Sequence, residues 1–198
     1  MLVIGLCGGS GSGKSTVAGM LSSRNILHVD TDLVYRKLIS SPSECTYELA
    51  SEFGDLIING DGSVNRRILA EIVFSDKNKH TKLNHIAHKH VLNLVRDVIK
   101  CSSGYLAVCV DAPMLFESGF DRECDLLVAV LAPIEKRIER ITARDNISID
   151  DAIKRINAQI SDRDLISKVD FVINNSGDMS ALEEQIDALI NYINNNFK

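Results

Sequence analysis

A glycine-rich segment near the N-terminus has the residue types and spacing of a phosphate-binding loop. Residues 8–15 read GGSGSGKS, which matches G-x-x-x-x-G-K-[ST], and a threonine follows. Glycines allow a tight turn whose backbone N–H groups point at phosphate oxygens, and the helix that follows adds partial positive charge. The lysine of such a loop neutralises the β- and γ-phosphates, and its first hydroxyl ligates Mg²⁺. The residues predicted to bind ATP are Gly8, Gly9, Gly11, Ser12, Gly13, Lys14, Ser15 and Thr16; among them Lys14 is also predicted to be catalytic and Ser15 to bind the metal.

Two aspartates follow apolar runs that read as strands, at the edge where open α/β sheets bind ligands. Asp32 comes after the run 26–29, and a hydroxyl that attacks a phosphoryl group needs such a carboxylate to take its proton. The alternative is that Asp32 only caps the helix that follows. Asp111 comes after the run 106–110 and would hold Mg²⁺ through water, or else it ends its strand in a turn with Pro113.

A polar helical stretch after Pro133 supplies cations for the charge that builds up on a transferring phosphoryl group. It contains Arg137, Arg140 and Arg144. Arg140 and Arg144 are four residues apart and therefore share a helix face. The alternative is a solvated charged face in which these arginines pair with glutamates of the same helix.

Four histidines cluster in one helical segment, at His80, His85, His88 and His90. The spacing of His85 and His88 is compatible with a metal site. Because no cysteine and no carboxylate pattern accompanies them, a solvated or substrate-facing helix is favoured over metal binding.

The elements that position these residues alternate between short apolar runs and longer helical patterns. The predicted strands are 2–6, 26–29, 106–110, 126–131 and 171–173. They are continuous rather than alternating in hydropathy, which is typical of strands covered on both faces. The predicted fold class is therefore α/β, a doubly wound parallel five-stranded sheet flanked by helices. Ser180 and Glu183 have capping-box spacing and predict the start of the last helix.

The chain is predicted to be one domain, 1–198, made of three parts. Residues 32–103 lie between the second and third strands, show helical patterning and contain no convincing strand, so they are expected to form an inserted lobe. Residues 133–168 form a second polar, arginine-bearing helical segment, expected to be a lid. The nucleotide-binding core would then comprise residues 1–31, 104–132 and 169–198.

Composition narrows the class of protein and its partners. A net charge of −5 gives no electrostatic support to general nucleic-acid binding. No apolar run approaches the length of a membrane span. Five cysteines, an odd number with no C-x-x-C pair, argue against a disulfide framework or a zinc site and fit a reducing cytoplasm. We expect a cytoplasmic monomer that binds neither nucleic acid nor membrane.

A phosphate-binding loop alone does not separate kinases from GTPases and motors. The guanine-specificity motif N/T-K-x-D is not found: residues 174–177 read NNSG, without the lysine or the aspartate. The transporter ATPase signature is also missing, and one small domain leaves little room for a motor. A small-molecule kinase is therefore favoured. A nucleoside or metabolite-alcohol kinase, and an ATP-dependent switch that signals to a protein partner, stay open as alternatives.

These motifs together resemble the dephospho-CoA kinase family over nearly the whole chain. The matching segments are IGLCGGSGSGKSTV; VDTD followed by Arg36; FGDLIINGDGSVNRRILAEIVF, which contains Arg66; DAPMLFESG; Arg140, Arg144 and the R-I-x-x-Q pattern ending at Gln159; and FVINNSG. Cys7 stands where the family usually has threonine. Asn84 and Lys89 stand where it commonly has glutamate and proline.

The resemblance implies an enzyme that transfers the γ-phosphoryl group of ATP to the ribose 3′-hydroxyl of dephospho-CoA, with Mg²⁺. It implies that 32–103 binds the CoA moiety and that 133–168 is a lid over the phosphates. By resemblance Asp32 is the base, Arg140 a catalytic lid residue, Arg144 a nucleotide-binding residue, and Asn175 lies near the adenine. The residues implied in acceptor binding are Asp32, Arg36, Arg66, His88, Pro113, Leu115 and Glu117.

Overall fold

The computed structural model describes residues 1–74 and 76–197 and contains five strands in one sheet. Each strand lies within one residue of its predicted run at both ends. The strands are β1 (Leu2–Cys7), β2 (Ile26–Asp30), β3 (Ala107–Asp111), β4 (Leu126–Leu131) and β5 (Phe171–Asn174). The prediction of strands buried on both faces is confirmed, since every residue of β3 and all but the first of β1 are buried.

The sheet is all-parallel, with strand order β2-β3-β1-β4-β5. Strand β1 is therefore central, with Leu6 paired to Asp111 of β3 and Cys7 paired to Ala129 of β4. The chain leaves β1, forms β2 and β3 on one side, and then crosses to β4 on the other. The loop after β1 consequently lies at the topological switch point, where doubly wound sheets bind ligands.

Helices fill the intervals between the strands. They are α1 (Lys14–Ser22), α2 (Thr31–Leu38), α3 (Glu44–Phe53), α4 (Arg66–Phe74), α5 (Lys77–Cys101), α6 (Ile134–Asp145), α7 (Ile149–Asn157), α8 (Asp162–Ile166) and α9 (Met179–Asn196). Short 3₁₀ turns occur at Asp55–Ile57 and Phe120–Glu123. Within the described residues, no helix combines the length and the apolar character that crossing a membrane requires.

The chain divides into two compact units. The core unit consists of residues 1–29 and the chain from Ser102 onward, and it contains β1, β3, β4 and β5. Its apolar interior joins the sheet to α1 and α9 through side chains such as Ile4, Val17, Val128 and Ile186. This sheet-and-helix sandwich fixes the carboxyl ends of the strands, at which the candidate site lies.

The helical unit, Asp30–Cys101, has an interior of its own. The residues of its buried cluster come from the end of α2, from α3, α4 and α5 and from the segment between α3 and α4: Ile39, Cys45, Leu49, Ile57, Val64, Leu69, Val73 and Ile86. A capping box at Ser43 begins α3: the Ser43 hydroxyl accepts from the Thr46 N–H, and Thr46 Oγ1 accepts from the Ser43 N–H. The bounds 30–101 compare with 32–103 from the sequence; that this unit is a substrate lobe stays a prediction.

The last helix begins two residues earlier than its predicted capping box. Asp178 is the N-cap, and its carboxylate accepts a hydrogen bond from the Ala181 N–H at 2.9 Å. Ser180 lies inside the first turn instead. Leu182, Ile186, Leu189 and Ile193 form an apolar stripe along the helix and are buried against the sheet.

Candidate active site

The phosphate loop, residues 8–15, connects β1 to α1 and has a conformation that its glycines make possible. Gly8, Gly11 and Gly13 have φ values of 150°, 75° and 97°. A side chain at Gly8 would overlap the Val130 carbonyl, and one at Gly13 would overlap the side-chain amide of Asn175. Both the backbone angles and the close neighbours therefore require glycine.

Lys14 and the two hydroxyl residues after it open α1. The ammonium of Lys14 donates to the Gly8 carbonyl at 2.8 Å, so it folds back over the loop. Gly13 is the N-cap and accepts from the Thr16 N–H at 3.0 Å. The amides of Lys14 and Ser15 belong to the first turn, where N–H groups have no intrahelical acceptor. The loop thus presents a cation, free amides and a helix N-terminus at one place, which is an anion site.

Ser12 carries an orphaned polar atom inside this loop. Its side chain is buried, and its Oγ has no hydrogen-bond partner among the described residues. Buried hydroxyls are normally bonded, so an orphan of this kind marks a position that a polar ligand or water completes.

Asp111, at the end of β3, lies beside the base of the loop. Its backbone partner in the sheet is Leu6, and the Ala112 N–H donates to the Leu6 carbonyl. Burial raises the pKa of the neighbouring Cys7 thiol to about 12, and the charges of Lys14 and Asp111 act on the same thiol in opposite directions. Hydroxyl and carboxylate oxygens are hard ligands, so Ser15 and Asp111 suit the chemistry of Mg²⁺.

His28 of β2 is a neighbour of this carboxylate that the sequence did not indicate. Its Nε2 lies 4.0 Å from Asp111 Oδ2. The two side chains meet because β2 and β3 are adjacent in the sheet, although 83 positions separate them in sequence (111 − 28). Only the strand order could have paired them.

Two arginines of α6 differ in what holds them. Arg140 Nη1 donates to the carbonyls of Gly11 and Ser12, at 3.0 and 3.2 Å, so its guanidinium lies against the loop. Arg144 instead donates from Nε and Nη2 to Asp145, both at 2.8 Å, and Arg155 also pairs with Asp145. The hydrogen bond from Arg144 holds the pKa of Asp145 down at about 2. The structure therefore brings Arg140 to the loop and gives Arg144 a carboxylate partner; its nucleotide contact stays a prediction.

The third arginine of the helix, Arg137, was not among the predicted site residues, yet it is the most enclosed of the three. Its side chain is 6% exposed, and its guanidinium contacts Ser10, Gln159 and Asp162. Its position one turn before Arg140 was the available signal. Burial of an arginine, however, depends on partners that lie more than 20 residues away in sequence.

Asn175 follows β5 and is also brought to the loop. Its Nδ2 donates to the Ser12 carbonyl at 2.8 Å, and its own N–H donates to the Leu131 carbonyl of β4. The residue is buried and lies against Gly13. Its predicted position near the adenine stays a prediction, while the contact shown here fixes the loop backbone.

In the helical unit, the alternative that Asp32 merely caps α2 is wrong. Asp30 is the N-cap, and its Oδ1 accepts from the Leu33 N–H at 3.0 Å. Asp32 lies in the first turn, exposed, and its carboxylate has no hydrogen bond or ion pair within the described residues. In the first turn its charge also interacts favourably with the helix dipole, and its predicted role as base stays a prediction.

Two predicted acceptor-binding arginines lie in the helical unit near one tyrosine. Arg36 is on α2, next to Tyr35, and Arg66 begins α4; both arginines are exposed. Burial raises the pKa of Tyr35 to about 12, and the charge of Arg66 lowers it in part. Arg66 therefore lies close to the α2 segment that carries Arg36. His88 lies on α5, partly exposed, and its contact with an acceptor stays a prediction.

The segment after β3 carries the remaining predicted acceptor residues. Pro113 and Glu117 are exposed. Leu115 is only 1% exposed and lies in contact with the backbone of Gly5. Its burial indicates packing that positions this segment, and its predicted contact with the acceptor stays a prediction.

The histidines of α5 do not share one environment: His90 joins a polar network, and His85 lines a cavity. Glu48 of α3 accepts from Lys89 Nζ at 2.7 Å and pairs with His90 Nε2 at 2.6 Å. His90 is buried, whereas His85 lines a cavity of about 420 Å³ together with Glu48 and other polar residues of α3 and α5. Lys89, one of the departures from the family pattern, thus has a partner in this chain.

Comparison with known proteins gives one consistent result. Residues 2–181 match the family model described as dephospho-CoA kinase. The dephospho-CoA kinase of Fusobacterium nucleatum is 36% identical over 187 residues, covering 94% of this chain and 96% of that protein. The crystal structure of TT1252 from Thermus thermophilus is 29% identical, with a TM-score of 0.81, over 97% of both chains.

A second solved structure supports the fold. Dephospho-CoA kinase from Campylobacter jejuni superimposes with a TM-score of 0.70, over 99% of this chain and 98% of its own, at 22% identity. The sequence matches extend through the phosphate loop, the helical unit and α6–α8. The chain belongs to the dephospho-CoA kinase family.

Proposed function

We propose that this chain transfers the γ-phosphoryl group of ATP to the 3′-hydroxyl of the ribose of dephospho-CoA, giving CoA and ADP. The observation that carries the proposal is the match of residues 2–181 to one family. A match confined to the phosphate loop would support nucleotide binding alone, since that loop serves many chemistries. This match includes the whole helical unit, which nucleotide binding alone does not explain.

At the phosphate end, the loop supplies fixed dipoles and Lys14 supplies charge. The amides at the start of α1 and the ammonium bind the β- and γ-phosphate oxygens without moving far from their present positions. Arg140 adds a second cation, already held by two loop carbonyls. Its charge counts most when the phosphoryl oxygens gain negative charge, so its main contribution is to the transition state.

Ser15 and Asp111 would hold Mg²⁺, Ser15 directly and Asp111 through water. Mg²⁺ held there would neutralise charge on the phosphates of ATP. The carboxylate of Asp111 is about nine-tenths buried and lies at the strand end next to the loop, which suits an outer ligand of a hard cation.

At the acceptor end, Asp32 would take the proton of the 3′-hydroxyl. A secondary hydroxyl is a poor nucleophile until a base receives its proton, and Asp32 is exposed with no competing partner among the described residues. Arg36 and Arg66 would neutralise the pyrophosphate of dephospho-CoA, to which a guanidinium can donate two hydrogen bonds.

An ADP-release assay with a panel of hydroxyl acceptors tests the proposal. We expect turnover with dephospho-CoA and almost none with adenosine, uridine or shikimate. CoA is the matched control, because it differs from dephospho-CoA in having the 3′-position already phosphorylated. Mass spectrometry and NMR of the product locate the new phosphate. Efficient turnover of a plain nucleoside, with none of dephospho-CoA, would overturn the assignment.

We further propose that the enzyme works in the cytoplasm as a monomer. Its five cysteines are all free thiols, which suits a reducing compartment. Burial raises the pKa of Cys124 to about 12 and that of Cys109 further still, so these thiols are unreactive at neutral pH. Light scattering in the presence and absence of ATP checks the monomer.

A further inference from the structure

The buried guanidinium of Arg137 lies against the first half of the phosphate loop. Its Nε donates to the Ser10 carbonyl at 3.0 Å, its Nη1 donates to Asp162 Oδ1 at 3.2 Å, and its Nη2 donates to Gln159 Oε1 at 3.3 Å. A buried cation is tolerated only where its donors are satisfied in this way. The three acceptors come from the loop, from the residues after α7 and from the start of α8. Arg137 itself lies on α6, so it joins the loop to α6, α7 and α8, the three helices of the predicted lid.

Gln159 holds the same loop residue from a second direction. The Ser10 N–H donates to Gln159 Oε1 at 2.9 Å, and Gln159 Nε2 donates to Ser10 Oγ at 3.1 Å. The amide, the carbonyl and the hydroxyl of Ser10 are therefore all bound by Arg137 and Gln159. The fit is close, since a side chain at Gly9 would overlap the Arg137 guanidinium and one at Gly11 would press on the Arg137 backbone.

The two halves of the loop, here residues 8–12 and residues 13–15, consequently have different partners. In the first half, the amides of Ser10 and Ser12 already donate to protein acceptors, Gln159 and the Gly9 carbonyl. In the second half, the amides that begin α1 lack intrahelical acceptors and are available to phosphate oxygens. The first half is thus fixed by the lid helices, and the second half is left to the ligand.

We propose that Arg137 is a positioning residue for phosphate binding. Together with Gln159 it fixes Ser10, an arrangement called the lock below, and this keeps the second half of the loop preorganised for ATP. The inference rests on the proposed function only in taking ATP as the ligand. Without the lock, ATP has to order the loop as it binds, and that ordering lowers its affinity.

ATP affinity measured by calorimetry without any acceptor tests the proposal independently of dephospho-CoA. For Arg137→Ala we expect the Kd for ATP to rise about tenfold or more, because the lost charge-assisted hydrogen bonds held the loop. Arg137→Lys, which can still donate to the Ser10 carbonyl but not to all three acceptors, should lie between. Arg163→Ala removes an exposed arginine of α8 and is the matched control, with Kd unchanged.

Hydrogen exchange gives a readout that does not depend on affinity. The Ser10 amide is bonded to Gln159, so peptides covering residues 8–13 should exchange faster in Arg137→Ala and in Gln159→Leu than in the wild type or Arg163→Ala. The double variant should lose less affinity than the sum of the single losses, since both residues hold Ser10.

The proposal is overturned if Arg137→Ala binds ATP within about twofold of wild type, or if Arg163→Ala loses as much. It is also overturned if exchange of residues 8–13 is unaltered. Should Arg137→Ala fail to fold, Arg137→Lys and the partly exposed Gln159→Leu decide the matter by the same two measurements. If ATP binds as expected but dephospho-CoA is not phosphorylated, the proposed function fails and the lock stands.

Discussion

The phosphate loop and the predicted acceptor residues of the helical unit are built in opposite ways. The loop is already bonded before any ligand arrives, with Ser10 held by Gln159, and Lys14 folded onto Gly8. Asp32 and Arg36 are exposed and have no hydrogen bond or ion pair within the described part of the chain. The phosphate loop therefore offers fixed backbone dipoles, while the predicted acceptor residues offer exposed side chains that would lose conformational entropy on binding.

The same contrast applies to what stabilises each unit. The central strands of the core unit are buried on both faces between helices. The helical unit has a smaller apolar interior and, beside it, a polar network around Glu48 that joins α3 to α5. Removing the Lys14 side chain from the loop should therefore change chemistry and leave the fold intact, whereas substitutions in the Glu48 network should change stability.

The largest effect is expected for Lys14→Ala, which tests whether the fold survives, and catalysis is lost, when the loop has no lysine. Turnover should fall by about 10⁴-fold or more, because Lys14 neutralises the transferring phosphates. The melting temperature should stay near that of wild type, since within the described residues the ammonium bonds only to the Gly8 carbonyl. Lys100→Ala, which removes an exposed lysine of α5, is the control. Near wild-type turnover in Lys14→Ala would contradict the assignment of the loop.

Asp32→Asn tests the acceptor end. We expect kcat to fall by about 10²–10⁴, the usual range for losing a general base, while the affinity for ATP stays within a few-fold. Asp30→Asn is the matched comparison, because asparagine caps a helix as well as aspartate does, and it should lose much less activity. Steady-state kinetics with dephospho-CoA measures kcat, and calorimetry measures the affinity for ATP, so the two effects are separated. An unimpaired Asp32→Asn would remove this residue as the base.

Arg140→Ala and Arg144→Ala together compare two arginines of one helix. Loss of the Arg140 side chain should raise the activation free energy of phosphoryl transfer by about 2–4 kcal/mol. It should lower kcat more than it weakens ATP binding, because the charge of Arg140 matters most in the transition state. Arg144→Ala should lower kcat less, because in this structure Asp145 holds the Arg144 guanidinium. Steady-state kinetics over a range of ATP concentrations measures both. A change confined to the KM for ATP in Arg140→Ala would contradict its catalytic role.

The sequence predicted the strands and the loop well because their signals are local. A continuous apolar run identifies a buried strand, and a glycine spacing identifies a loop, without knowledge of the rest of the chain. The caps were harder, since neighbouring polar residues compete for one position. At the start of α2 the cap is Asp30 rather than Asp32, and at the start of α9 it is Asp178 rather than Ser180.

Contacts between distant residues were not accessible from the sequence. Arginine is normally exposed, so nothing local indicated that Arg137 is buried against Ser10 and Gln159. The histidine cluster favoured a solvated or substrate-facing helix over a metal site, whereas His90 is buried against Glu48, which lies 42 residues earlier. Both arrangements depend on how helices pack, which periodicity does not specify.

Glu48→Gln should give the smallest effect, and it tests the stability of the helical unit. Hydrogen bonds from Lys89, and then from His90, hold the pKa of Glu48 below its usual range. A carboxyl whose pKa is lowered on folding stabilises the fold above its unfolded pKa, about 4.3, and loses that contribution as pH falls through the folded value. The side chain is 35% exposed, so solvent screening should limit the loss in Glu48→Gln to about 1 kcal/mol at pH 7.

The pH dependence makes this last prediction specific. The difference between wild type and Glu48→Gln should shrink as pH falls below the usual glutamate pKa, because the wild-type carboxyl then becomes protonated. Glu52→Gln is the matched control, because Glu52 lies on the same helix and pairs with Lys82 alone. It should cost less at pH 7, since its partner is an exposed lysine and no buried group depends on it. Urea unfolding followed by far-UV circular dichroism measures each difference. A gap between wild type and Glu48→Gln that did not shrink well below the usual glutamate pKa would show that the carboxylate is not what holds α3 to α5.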